Sequence, residues 1–140
     1  MPVPKKFKLV FTAENLNYNQ LMIKAYKIYT GSDGHTHVAT GSVNEGDLTN
    51  VTAIRFKETP PHSSYDWHPA PVAQYVLSLT GTLLFETWLS ETFILKPGQV
   101  LIAMDTTGSG HKWKLTDDQP WKRAYVVFEN NAEINFLEDM

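Results

Sequence analysis

Short segments in which apolar and polar residues alternate follow one another along most of the chain, each closed by turn-forming residues. The period-two pattern and a high content of β-branched and aromatic side chains predict strands over Leu21 to Tyr29, His35 to Val43, Asn50 to Lys57, Val72 to Leu79, Thr82 to Trp88, Gln99 to Asp105, His111 to Leu115 and Lys122 to Phe128. The breaks between them fall on Gly31-Ser32-Asp33-Gly34, Asn44-Glu45-Gly46-Asp47, Pro60-Pro61, Lys96-Pro97-Gly98 and Asp117-Asp118-Gln119-Pro120. Strands at this spacing predict an all-β antiparallel sandwich or barrel, with little support for a long helix. The run Phe7-Lys8-Leu9-Val10-Phe11 reads as a further strand seeking a partner, and the tail from Asn130 to Met140 is open between a last strand, a short helix and a dimer arm. There is no internal repeat, low-complexity stretch or linker, so a single domain over 1–140 is expected.

Composition narrows the function classes. At 140 residues and 15.9 kDa the chain has the length of one domain that can bury a core without staples. The absence of cysteine excludes disulfides. No apolar run approaches the ~18 residues that span a bilayer, and the first residues lead into no signal-peptide core, so a cytoplasmic protein with no membrane partner is the expectation. The formal charge of -3 comes with no Lys/Arg cluster longer than Lys5-Lys6, which argues against nucleic acid as a partner.

The candidate chemistry lies with the histidines. If the strand is already extended at His68, then His68, Ala70, Val72 and Gln74 share one face, and Pro69 and Pro71 hold their predecessors extended. His111, Trp113 and Leu115 share a face opposite Lys112 and Lys114; a lysine face is the solvent face, so His111 looks inward. An inward imidazole needs a metal, a ligand or a core hydrogen bond as partner. His35 and His37 form an H-x-H pair that reads first as exposed, and His62 reads as a loop residue; either is also open to a role as extra ligand or acid/base. Thr106-Thr107-Gly108-Ser109-Gly110 lacks the lysine and helix of a phosphate loop and reads as the turn that delivers His111, with Asp105 capping that turn or orienting a ligand. Tyr65, Trp67, Trp113 and Tyr125, with Val76 and Met104, supply apolar surface for a ring-bearing small molecule, although packing accounts for such residues equally well. No nucleophile-elbow, zinc-protease or dinucleotide fingerprint is present.

The runs His68-Pro69-Ala70-Pro71-Val72-Ala73-Gln74 to Gly81, and Gly98 to His111, resemble the two motifs of the cupin family. His68 stands at the first histidine of the first motif, Ala70 at the second, Gln74 at the glutamate and Gly81 at the closing glycine. Gly98 opens the second motif and His111 ends it, with Met104 at the expected proline, a longer turn, and Leu115 at the asparagine. The resemblance spans roughly Pro61 to Phe128 and implies a single-domain jelly-roll barrel, the double-stranded β-helix. It also implies a divalent first-row metal (Fe, Mn, Ni or Zn) at His68, Gln74 and His111, in a small-molecule enzyme of dioxygenase, isomerase or lyase type. The departures at Ala70 and Gln74 keep open a metal-free cupin that binds or senses a small ligand without catalysis. Small cupins commonly pair through sheet edges, so a homodimer is expected.

Overall fold

In the computed structural model, which describes residues 22–140, the chain is all-β, with strands joined by turns and no helix among the described residues. In chain order the strands are β1 (Ile23–Thr30), β2 (Thr36–Val43), β3 (Val51–Thr59), β4 (Ser64–His68), β5 (Gln74–Ser78), β6 (Leu83–Thr87), β7 (Thr92–Leu95), β8 (Val100–Met104), β9 (His111–Leu115), β10 (Trp121–Phe128) and β11 (Leu137–Glu138). They form two sheets, a 7-stranded one in the order β11-β2-β1-β8-β5-β10-β3 and a 4-stranded one in the order β4-β9-β6-β7. All pairings are antiparallel except that of β1 with β8.

The alternation along each strand sorts its residues between two cores. In β6 the buried residues Leu83 and Phe85 point between the sheets, where they meet Phe93 and Leu95 of β7, Leu115 of β9 and, from the larger sheet, Ile28, Val76, Leu101, Ala103 and Trp121. The Trp121 indole is buried there and its Nε1 donates to Ser78 Oγ at 3.0 Å, so the ring sits in the core without an orphaned donor. A second core covers the outer face of the larger sheet, with Ala25, Tyr75, Val100, Ile102 and Phe128 beneath Ala132, Ile134 and Phe136 of the C-terminal segment. The Tyr75 hydroxyl pins that segment by accepting from Asn135 N at 3.1 Å and lying 3.3 Å from Asn135 O. The uninterrupted apolar run of β8 follows from this arrangement: a central strand with both faces covered has no solvent side.

Each of the eight predicted segments contains a strand with ends within two residues of those expected, and His111 to Leu115 coincides with β9. The pattern did not announce β4 or β7, which are short or largely exposed. The tail expectation resolves into the covering segment plus β11, which pairs with β2. The run Phe7 to Phe11 lies outside the described residues. One expectation is overturned: His68 and Gln74 do not share a strand. His68 ends β4 in the smaller sheet and Gln74 begins β5 in the larger, so Pro69 to Ala73 carries the chain from one sheet to the other, and Val72 faces outward.

Candidate functional site

The last residue of β4 and the first of β9 are register partners, which places His68 and His111 side by side with ring centroids 4.4 Å apart. The approach depends on Gly110: its φ is +74°, and a Cβ there would collide with the His68 carbonyl group. Each imidazole is fixed through the same nitrogen. His68 Nδ1 donates to the Asp66 carbonyl at 2.7 Å, and His111 Nδ1 donates to Asp105 Oδ2 at 2.6 Å. Thr36 Oγ1 donates to the same oxygen at 2.8 Å, tying the end of β8 to the start of β2. With both Nδ1–H groups engaged, neither Nε2 makes a hydrogen bond among the described residues. Burial pushes the His68 pKa below its ordinary value of 6.5, with the neighbouring His111 acting in the same direction against the Asp66 carbonyl and the charge of Asp105. His68 is therefore a neutral base at neutral pH.

Both rings open onto a cavity of about 700 Å³ between the sheets, within the size range of small-molecule sites. Of the residues expected at the site, His68, Gln74, His111, Val76, Trp113 and Tyr125 line this cavity, Gln74 from the opposite sheet to the imidazoles. Trp67 and Met104 do not: Met104 is one residue off the inward phase of β8, and in β4 an irregularity in the pairing between Tyr65 and His68 brings His68 rather than Trp67 to the cavity. Trp67 turns out to stack edge-on against Trp88 at 5.1 Å under the Lys112 ammonium, and Met104 packs in the outer core while Ala103 faces the cavity. The other histidines lie away from it. His35 Nδ1 is 3.0 Å from Ser109 Oγ, His37 pairs with Asp33 at 2.9 Å, and His62 pairs with Asp118 at 2.8 Å on an exposed surface.

The pattern reading missed two features. Asp105 was expected to cap its turn or orient a ligand; it is completely buried and holds the His111 ring and the Thr36 hydroxyl. Arg123, which falls in the predicted strand Lys122 to Phe128 and was given no role there, is 3% exposed and stands in the cavity wall beside Arg55 and Lys57. Period two along β10 carries the signal for it, since Trp121, Arg123 and Tyr125 fall on one face.

Among the described residues no three His, Cys, Asp or Glu side chains gather around one point. The donors a metal would meet are the two imidazole Nε2 atoms and the amide of Gln74, which lines the same cavity. The fit lies in the anchoring, because a ligating imidazole characteristically donates its other N–H to a carboxylate or backbone carbonyl, as His111 and His68 both do. No protein-family model matches this chain, and neither does any curated protein.

Proposed function

We propose that the chain is a small-molecule enzyme built as a cupin-type jelly-roll barrel, working in the cavity between its sheets with a divalent first-row cation at His68 and His111. The observation that carries this reading is the matched anchoring of the two adjacent rings through Nδ1, which leaves both Nε2 atoms without a protein partner among the described residues. An isolated buried histidine satisfying the core would use both ring nitrogens; this pair holds two in reserve. The cation, when bound, supplies Lewis-acid polarisation of a ligand oxygen. The chain's own residues do the rest: Asp105 and the Asp66 carbonyl fix the rings, Gln74 offers an amide oxygen, and Val76, Trp113 and Tyr125 exclude water from the ligand's apolar body.

A second reading, a metal-free binding or sensing module, is favoured by one observation: the third donor is the neutral amide of Gln74, which brings no charge to offset a cation. Elemental analysis of the purified protein, followed by reconstitution with Fe(II), Mn(II), Ni(II) and Zn(II), decides between them. Close to one equivalent of metal that depends on both histidines supports the enzyme; a protein that takes up none of the four supports the binding module.

A further inference from the structure

We infer that the cavity selects an organic carboxylate, held by the Arg123 guanidinium with Arg55 and Lys57 and packed by its apolar body against the aromatic wall. This names the ligand class for the small-molecule site proposed above and rests on that reading.

Arg123 is 3% exposed yet has no carboxylate within 4.0 Å among the described residues. Its donors are already partly assigned: Nε–H goes to Tyr125 Oη at 3.0 Å, and Nη1 goes to Thr59 Oγ1 at 2.6 Å and the Trp121 carbonyl at 3.0 Å. These are neutral oxygens, so they orient the fork without neutralising it, and both hydrogens of Nη2 remain unassigned. The guanidinium lies over the Trp121 ring at 3.8 Å, which fixes its plane and offsets part of its desolvation. An unpaired buried cation is costly, and here the surroundings raise the cost. Lys57 is the register partner of Arg123 across β3 and β10, a like-charge pair directly opposed on one face. Arg55, one step further along that face, sits over the Tyr125 ring at 4.9 Å.

Against these three cations the cavity wall has one acidic residue among the described residues, Glu58, which is the register partner of Lys122 and forms no ion pair with any of them. A carboxylate answers this arrangement: it accepts from Nη2, the nitrogen of the fork whose hydrogens are unassigned, offsets the like charges of Lys57 and Arg123, and leaves a ring or chain to lie along Trp121, Tyr125 and Trp113.

The test is a thermal-shift and calorimetric panel on the full chain, running from acetate to benzoate and phenylpyruvate, each beside its primary amide, with inorganic sulfate as the bare anion. Every probe is run before and after EDTA. At least one ring-bearing carboxylate binds, and its amide binds at least about tenfold more weakly. Arg123→Met loses at least about tenfold and Arg55→Met about threefold; the second substitution is at an exposed position, so it reports even where loss of Arg123 compromises folding. The inference is overturned if no carboxylate binds up to about 10 mM, if amides or sulfate bind as well, or if Arg55→Met and Arg123→Met both bind like the wild type. Carboxylate binding that EDTA abolishes while the arginines are intact places the anion on the metal and also overturns it. Binding that survives EDTA in a protein that takes up no metal upholds the carboxylate site while removing the metal reading.

Discussion

Asp105→Ala isolates the support beneath His111. Removing the carboxyl group strips the acceptor from two buried donors at once, His111 Nδ1–H at 2.6 Å and the Thr36 hydroxyl at 2.8 Å, on residues 5% and 0% exposed. A buried donor left unpaired costs about 1–3 kcal/mol, so the two sum to roughly 2–6 kcal/mol. Part of this is returned, because Asp105 Oδ1 is buried without a partner among the described residues and its removal relieves about 1–3 kcal/mol. The expected net loss is about 2 kcal/mol, well outside the ±0.5 kcal/mol of an ordinary surface change. Urea unfolding followed by tryptophan fluorescence measures it, provided the slope with denaturant is unchanged. In a double-mutant cycle with Thr36→Val, the two residues should couple by about 1 kcal/mol, since they share one oxygen. Freed of its anchor, His111 should also lose metal affinity by about 10–100-fold. A loss below about 0.5 kcal/mol, or an additive cycle, would refute the claim that Asp105 holds the ring.

Three further outcomes are expected. Gln74→Glu supplies the missing charge with little change in shape, and Mn(II) or Ni(II) affinity by calorimetry should rise by about tenfold, or 1.4 kcal/mol; no binding together with a lower melting temperature counts against a latent metal site. His68 has a folded-state pKa below 6.5, so the unfolded chain binds more protons between the two values; the stability His68 contributes is present above pH 6.5 and is lost as pH falls through the folded value. Urea midpoints of wild type and His68→Gln should therefore diverge over that acidic interval, and parallel profiles would show that burial leaves His68 unperturbed. On assembly, β3 is a nine-residue edge strand with Ile54 and Phe56 58% and 70% exposed, so light scattering should give a dimer that Phe56→Lys dissociates; a wild-type mass near 15.9 kDa at all concentrations contradicts this.

The strands were legible because turn residues punctuate them and their buried faces alternate; Lys112 and Lys114 alone told which side of β9 is inward. The site was legible only in part, for physical reasons. Pro69 and Pro71 impose extended backbone whether the chain continues a strand or crosses between sheets, so the separation of His68 from Gln74 left no mark in the pattern. A charged side chain on an inward cavity position looks like a solvent-facing one, which hid Arg123. Asp105 meets His111 only six residues on, but the turn between them hides that contact from strand periodicity, and its second partner, Thr36, lies 69 residues away in sequence. Single-residue phase decides Met104 against Ala103, and an irregularity in the β4–β9 pairing decides Trp67 against His68; strand boundaries read from sequence carry neither.

The most direct measurement is the metal-dependent stabilisation of the wild type compared with His68→Ala and His111→Ala. A cation that binds only the folded state raises stability by about 2.7 kcal/mol at a hundredfold excess over its dissociation constant. Thermal melts in titrations of Mn(II), Fe(II), Ni(II) and Zn(II) should show such a gain for at least one metal in the wild type, and its loss in both variants. Equal metal-dependent shifts in all three proteins, or no shift in the wild type with any of the four metals, would contradict the account.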